Sequence, residues 1–131
     1  MTAIVDEALG VGGIASAALF SRPSGSSTLE LAAAAGIDGP ALDGLVAAVR
    51  NPEHPVARSL TAAGPIFDVL PTAPGGPALR SHLPIRTAHA GEREAVGVLA
   101  VAHDAPLSDS ERSALVDLAA AAADELARRA G

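Results

Sequence analysis

The stretch that most constrains the fold lies at residues 79–104, LRSHLPIRTAHAGEREAVGVLAVAHD. It reads as two strands joined by a charged loop, and both strands carry small or apolar side chains on both faces. A strand with one face in water shows a regular alternation of polar and apolar residues. Because that alternation is missing, we expect both faces of the sheet to be covered, by helices, by a small ligand or by a second copy of the chain.

The covering layers must be built from aliphatic side chains. The chain of 131 residues has no Trp or Tyr and only two Phe, and much of its 49% hydrophobic content is alanine. A chain of this length supports one core, so we expect a single domain over 1–131. A core of Leu, Val, Ile and Ala is thin, and a thin core often gains stability from a partner subunit.

Composition excludes several classes of function. The formal net charge of -6 argues against a nucleic-acid surface, and two Phe cannot form a stacking platform for single strands. Without cysteine, disulfides, thiolate nucleophiles, thiolate metal sites and thioether-linked chromophores are excluded. The N-terminus lacks a basic region, and no run reaches the roughly 18 to 20 apolar residues that span a bilayer. We therefore expect a cytoplasmic protein that binds neither nucleic acid nor membrane.

The first half of the chain predicts a short helix, a hairpin and two more helices. Residues 1–13 combine a short helix with a Gly-rich lead-in, and the turn sequence PSGSS separates strands at 14–22 and 28–36. Asp38-Gly39-Pro40 opens a helix with an apolar stripe at helical spacing. NPEHP ends that helix, and a second short helix follows in PVARSLTAAG.

The second half predicts three strands and a long helix. PIFDVLP at 65–71 reads as a short strand, and PTAPGGPA after it is either a plain connector or a lid over a cavity. The two strands of 79–104 follow. The helix at 108–130 begins with a capping box, Ser108 and Glu111. One interruption of the strands by helices is typical of an antiparallel sheet with segregated helices, the α+β class.

One face of the final helix is apolar, and its AAAAA run at 119–123 would allow another backbone to approach closely. We therefore expect a homodimer that pairs through this helix. The predicted interface residues are Leu115, Leu118, Ala119, Ala122 and Leu126.

Four segments together resemble a GAF domain, over roughly 14–128. RSHLPI (80–85) resembles the Arg-Ser…Pro-Leu strand of the family, and EAVGVLAVAHDAP (94–106) resembles its G-V-L-x-V strand and following loop. LSDSERSALVDLAAAAADEL (107–126) resembles the closing helix, which typically begins with Ser-x-x-Glu. PVARSLTAAGPIF (55–67) resembles the segment that leads into the third strand.

The resemblance implies a central antiparallel sheet of about five strands. The N- and C-terminal helices would cover one face, and short middle helices and loops would enclose a small-molecule cavity on the other. The implied function is a regulatory, ligand-binding sensor that acts through a partner protein or a dimer. No cofactor is expected.

Three departures from the family restrict what carries over. Cysteine is absent, so bilin attachment and cysteine-based methionine sulfoxide reduction do not carry over. The Asn-Lys-x-Asp type of signature found in cyclic-nucleotide-binding members is also absent. The N-terminal helix is shorter than usual, which puts the dimer mode of the family in doubt.

Five residues are candidates for the ligand cavity: Phe67, Asp68, Arg80, Ser81 and His82. Arg80 could bind a carboxylate or phosphate, or could pair with Asp68 or Asp104. If Ser81 points with Leu79 and Leu83, then Arg80 and His82 point to the opposite face. Asp68 would require an Arg or several donors if it were buried. Phe67 is either a core residue or a ring stacked on the ligand.

Histidine does not form a metal motif in this sequence. His54, His82 and His103 are read as structural, surface or hydrogen-bonding residues, since their spacing matches no metal site, and His89 lies in a charged loop. No catalytic constellation stands out, so an enzyme is not expected. Two readings remain: a small-molecule sensor, and a scaffold with a closed cavity that mediates dimerisation or partner binding. A cavity with a few inward polar groups would favour the sensor.

Overall fold

The computed structural model describes five segments of the chain: residues 2–22, 28–61, 64–69, 79–86 and 95–130. The predicted turn at 23–27, the connector or lid at 71–78 and the loop that contains His89 lie outside the described residues. The order of elements confirms the predicted α+β class. The helices are α1 (Thr2–Leu9), α2 (Gly39–Ala48), α3 (Pro55–Arg58), which continues as a 3-10 turn (Ser59–Thr61), and α4 (Asp109–Ala130); the strands are β1 (Ile14–Ser21), β2 (Glu30–Ala35), β3 (Ile66–Val69), β4 (Leu79–Ile85) and β5 (Gly97–His103).

The five strands form one antiparallel sheet in the order β2-β1-β5-β4-β3. The stretch 79–104 therefore supplies β4 and the central strand β5, as its two-sided apolar character predicted. Gly97 opens β5 where the carbonyl of Phe20 in β1 approaches so closely that a Cβ would collide with it. Glycine is thus required for the pairing of β1 with β5 at this end of the sheet.

The register assigns side chains to two faces. Leu19, Leu99 and Leu83 lie side by side across β1, β5 and β4, and all three are fully buried against α1 and α4. We call this side the terminal-helix face. Burying each Leu from water contributes about 2 kcal/mol, so this face accounts for much of the stability of the fold.

The opposite side, which we call the middle-helix face, carries Ala18, Ala100 and His82 in the same three strands. A second apolar cluster lies on it and includes Phe20 of β1 and Val56 of α3. Terminal helices on one face and middle helices on the other is the arrangement that the resemblance implied.

Helix α2 is the least anchored of the covering helices. Asp38 caps its N-terminus by accepting a hydrogen bond from the backbone N–H of Ala41, at 2.9 Å, and Pro40 occupies the first turn as predicted. None of its side chains is buried, and Leu45 and Val46 only partly pack against the second cluster. The helix is formed by local capping and held by few tertiary contacts.

Helix α4 packs on the sheet of its own chain, and the predicted dimer interface on it stays a prediction. Its capping box forms as predicted, with Ser108 N–H donating to Glu111 Oε1 and Glu111 N–H donating to Ser108 Oγ. The apolar face, however, packs on the sheet of its own chain. Leu115 and Ala122 are fully buried, Ala119 and Leu126 nearly so, and Leu118 packs partly against the same cluster. In the monomer these five side chains therefore pack on the terminal-helix face of their own chain.

Candidate functional site

The five predicted cavity residues divide between the two faces of the sheet. Ser81 points with Leu83 toward the terminal helices, whereas Arg80 and His82 point toward the middle helices. Phe67 and Asp68 contact Arg112 of α4, on the terminal-helix side. The alternation of β4 therefore prevents these residues from lining one cavity. Whether either group binds a ligand stays a prediction.

A partly buried polar cluster forms around Asp68, where β3 is irregular. The β3–β4 register shifts between Ile66 and Val69, and Asp68 adopts a φ of 60°, in the left-handed region that Asp tolerates better than most residues. Its carboxylate accepts from Arg112 Nη2 at 2.6 Å and from the Leu107 N–H at 3.1 Å. The predicted need for an arginine partner is met, but by Arg112, so Asp68 does not pair with Arg80.

Ser81 and His103 extend this cluster beneath α4. His103 Nδ1 lies 2.8 Å from the Ala105 carbonyl oxygen, which can only accept, so Nδ1 carries the proton. In the neutral ring Nε2 then accepts from the Ser81 hydroxyl, at 2.8 Å, and Ser81 Oγ accepts from the Asp68 N–H at 3.1 Å. Each of these polar atoms is satisfied within the fold.

The Ser81–His103 pair has the spacing of a nucleophile and its base but not the access. Both side chains are fully buried, and His103 Nε2 lies 4.0 Å from Asp68 Oδ1 while Nδ1 bonds a backbone carbonyl. A substrate cannot reach Ser81 Oγ in this arrangement. The cluster joins β3, β4, β5 and the start of α4, and its role is structural.

Burial alone would raise the pKa of the Asp68 carboxyl. The hydrogen bond from Leu107 and the guanidinium of Arg112 outweigh that effect and lower the pKa below the ordinary value of 3.8. Arg112 also stacks on Phe67, with its guanidinium carbon 4.8 Å from the ring centroid. Phe67 therefore packs partly against the core and against Arg112, and whether it also stacks on a ligand stays a prediction.

The middle-helix face gathers a different polar group. Arg80 and His82 lie two residues apart on this face of β4, the Arg half-buried and the His only 4% exposed. His54 caps α3, where its Nδ1 accepts from the Val56 N–H at 3.2 Å. Because Nδ1 is the acceptor, Nε2 carries the proton of the neutral His54 ring.

Burial, with smaller contributions from the neighbouring charges of His54 and Arg80, lowers the pKa of His82 to about 4. Burial also lowers the pKa of His54 from its ordinary value of 6.5. At neutral pH both rings are therefore uncharged. Neutral imidazoles can donate and accept hydrogen bonds, which suits them to contact a polar ligand.

Small side chains surround His82 on this face. Ala100 and Ala102 of β5, Ser16 and Ala18 of β1 and Ala34 of β2 all face the middle helices. Ser16 and Ala100, in interior strands of the sheet, and Ala34, in the edge strand β2, are only partly buried. Ala34 and Ala100 pack against the second apolar cluster but stay partly accessible, in contrast to the fully buried leucines of the terminal-helix face.

A separate groove of about 280 Å³ opens to solvent between α4 and the β3–β4 edge. Gly64 and Pro65 form one wall, with Leu83, Pro84 and Arg86 at the floor and Val116, Ala119 and Ala120 of α4 opposite. Val116 is 43% exposed beside it, and Ile66, nearby in sequence, is 38% exposed. This groove is lined mostly by apolar atoms and was not predicted.

Within the five described segments, no group of three or more His, Cys, Asp or Glu side chains converges as metal ligands would. No described helix is both long enough and apolar enough to cross a bilayer.

His82 and Asp68 were candidates from the sequence, but the partners that surround each of them were not predicted. Arg112 and His103 come from segments 44 and 35 residues beyond Asp68, and only the tertiary fold brings them together. The one indication in the sequence was the chemical rule that a buried carboxylate requires an arginine or several hydrogen-bond donors. His54 as a helix cap is visible in the sequence only as a His before Pro55.

No family model and no curated protein matches the sequence. Solved structures do. The second GAF domain of DevS from Mycobacterium smegmatis is 18% identical, with a TM-score of 0.73 over 98% of this chain and 91% of that one. The GAF domain of the phosphoenolpyruvate-protein phosphotransferase from Acinetobacter is 16% identical, with a TM-score of 0.71 over 95% of this chain and 78% of that one.

A type II free methionine-R-sulfoxide reductase from Thermoplasma acidophilum is similar to the same degree. It is 13% identical, with a TM-score of 0.72 over 98% of this chain and 89% of that one. At such identities the likeness concerns the fold. The five-stranded antiparallel sheet, its two helical layers and these structural neighbours together show that the chain has a GAF-like fold.

Proposed function

We propose that this chain is a cytoplasmic regulatory domain that binds a small molecule on the middle-helix face and acts through a partner protein or a second copy. The observation that carries the proposal is the asymmetry of the sheet. Leu99 and its neighbours are fully buried on one face, whereas Ala100 and Ser16 on the other face are only partly buried, near the buried His82. A small-molecule site combines this kind of apolar floor with a few inward polar groups.

The covering helix supports the same proposal. Because α2 has no buried side chain, it can move away from the sheet at low cost and close again over a ligand. A ligand on the middle-helix face would contact β4 and β5, which also carry Ser81 and His103 on their other side. A shift in these strands would therefore reach the N-terminus of α4, which Arg112 ties to Asp68.

A ligand-free interaction scaffold is the second candidate. The groove beside α4 favours it, because Val116 is exposed among apolar neighbours where a partner could cover it. An enzyme is disfavoured by the absence of cysteine and by the burial of the Ser81–His103 pair.

The first experiment is native mass spectrometry of the protein purified from its own host, beside the same sample after denaturation. We expect a mass excess of roughly a few hundred daltons, the size of a pocket ligand, that is lost on denaturation. The variant Ala100→Phe, which fills the space beside His82, should remove the excess. Ala120→Phe, an exposed change on α4, is the matched control and should keep it.

A clean protein mass under native conditions would contradict the sensor and favour the scaffold. A mass excess that survives Ala100→Phe would place the ligand elsewhere. In that case the groove beside α4 becomes the next region to fill, with Ala120→Phe as the test variant.

A further inference from the structure

We propose that His82 binds the ligand of the middle-helix face through a hydrogen bond to an uncharged polar group, an amide or a hydroxyl, on an otherwise apolar molecule. This inference rests on the proposed function, and it names the chemical class of the ligand and the residue that recognises it. The observation that carries it is a buried imidazole whose nitrogens have no partner among the residues that the structure describes.

The two buried histidines of the sheet differ in how their nitrogens are satisfied. His103 is fully buried, and it contacts the Ala105 carbonyl oxygen through Nδ1 and the Ser81 hydroxyl through Nε2, both at 2.8 Å. His82 is only 4% exposed, yet neither of its nitrogens makes a hydrogen bond within the described segments. Buried polar side chains in folded proteins nearly always have a partner. His82 therefore lacks a hydrogen-bonding group that a ligand would supply.

The small exposed fraction of His82 lies at its nitrogens. Among the described residues, the buried side-chain atom with neither a partner nor contact with solvent is Arg112 Nε, on the other side of the sheet. The nitrogens of His82 have no partner either, so they keep some contact with solvent. A ligand can therefore reach them, whereas the Ser81–His103 pair is closed to it.

The surroundings of His82 indicate a ligand that is mainly apolar. Ala100 lies opposite His82 on β5, and Ala18 lies opposite Ala100 on β1. Leu45 and Val46 of α2 pack only partly against the same apolar cluster as these alanines. A molecule that extends from His82 across the alanines toward α2 would bury apolar surface, and the hydrogen bond to His82 would orient it.

A charged group is disfavoured next to His82. The ring is neutral at neutral pH, since burial lowers its pKa to about 4. Arg80 is already engaged, because its guanidinium donates to the Leu79 carbonyl oxygen and has a further interaction. The carboxylate of β3, Asp68, is bound by Arg112 on the other face. Burying a charge without an opposite charge costs far more than burying an amide or a hydroxyl.

Amides and hydroxyls also match the hydrogen-bonding capacity of a neutral imidazole. The ring of His82 has one N–H donor and one acceptor nitrogen, and a primary amide or a hydroxyl can donate as well as accept. Because the described chain bonds neither nitrogen, the ring can present either tautomer. His54, whose charge influences the pKa of His82, is more restricted, because its Nδ1 already accepts from the Val56 N–H.

The first test compares the same substitution at the two buried histidines. His82→Leu replaces an unpartnered polar ring with an apolar side chain of similar size, so we expect the urea midpoint at neutral pH to stay the same or rise. His103→Leu leaves the Ser81 hydroxyl without its acceptor, so the midpoint should fall. An equal fall in both variants would show that the fold itself satisfies His82 and would overturn the inference.

The second test measures binding with small probes that share one alkyl chain. Butyramide and butanol are uncharged, whereas butyrate and butylammonium are charged. The readout is the NMR signal of the His82 ring nitrogens in the intact chain at neutral pH, because a hydrogen bond to a ring nitrogen shifts its signal. We expect a saturable shift with butyramide, butanol or both, and an affinity at least about tenfold lower for the charged probes.

The variant His82→Leu should weaken the tighter-binding probe by about tenfold or more, followed by the backbone amide signal of Ala100. Ala120→Leu introduces the same side chain at an exposed position of α4 and should leave the affinity unchanged. Unchanged ring signals with both uncharged probes, tighter binding of a charged probe, or equal affinities in the two variants would each contradict the proposal.

Failure of this inference is distinguishable from failure of the proposed function. A mass excess in native mass spectrometry that is lost in Ala100→Phe but kept in His82→Leu would retain the sensor and reject His82 as its binding residue. No mass excess, together with no shift of the ring signals, would reject both.

Discussion

Asp68 shows how one residue joins three elements of the fold. Its left-handed backbone turns β3 so that both Phe67 and Asp68 face α4, and its carboxylate then meets Arg112 and the Leu107 N–H. A non-glycine residue at positive φ costs about 1 kcal/mol or more. The contacts made by the carboxylate offset this cost.

Two substitutions of Asp68 should therefore distinguish the effect of its charge from the effect of its left-handed backbone conformation. Asp68→Asn keeps a side chain that tolerates the left-handed region but weakens the bond to Arg112, and we expect a loss of about 1 kcal/mol because Arg112 is 40% exposed. Asp68→Ala removes both hydrogen bonds and favours another backbone conformation, so we expect about 2–3 kcal/mol. Urea denaturation measures both, and Asp124→Asn, an exposed carboxylate on α4, is the control. Equal losses of stability in the Asn and Ala variants would show that the left-handed backbone conformation of residue 68 does not contribute to the difference.

At the scale of elements, α4 belongs to the core of the monomer. Its residues at 115, 119, 122 and 126 occupy the terminal-helix face together with α1. The small Ala122 lies close to the sheet and is fully buried, which leaves no volume for a larger side chain.

Ala122→Glu should consequently unfold the chain rather than dissociate a dimer. Burying a carboxylate in that space costs several kcal/mol, comparable with the whole stability of a small domain. Ala121→Glu makes the same charge change at an exposed position of the same helix and should leave the melting temperature nearly unchanged. Circular dichroism melts of the two variants decide the matter. A folded Ala122→Glu protein with a halved mass in light scattering would restore the dimer interface first predicted from the sequence.

The elements that could be predicted from the sequence were those with strong local signals. The capping box of α4, Pro40 at the start of α2 and the two-sided apolar strands each depend on residues close in sequence. The apolar stripe of α4 does not by itself distinguish packing on the sheet of the same chain from packing on a second copy, and only the family resemblance implied the sheet. Strand alternation places Arg80 and Ser81 on opposite faces of β4. The prediction that both residues line one cavity did not take this alternation into account.

At the scale of the whole molecule, the two polar groups titrate in separate pH ranges. The pKa of Asp68 lies below 3.8, so its stabilising effect is present above that value and is lost only in stronger acid. The pKa of His82 falls from 6.5 to about 4 on folding. Below about pH 6.5 the His82 ring binds a proton in the unfolded chain but not in the folded chain. The free energy of unfolding therefore decreases as the pH falls, until the ring is also protonated in the folded chain near pH 4.

Global stability should therefore decline between about pH 6.5 and about pH 4, well before Asp68 titrates. The difference of about 2.5 pH units for His82 corresponds to a loss of up to about 3 kcal/mol, and the lowered pKa of His54 acts in the same direction. Urea denaturation at a series of pH values would measure the decline in the wild type. His82→Gln should flatten most of it, because the amide is polar but does not titrate. An unchanged slope in that variant would mean that folding does not lower the pKa of His82.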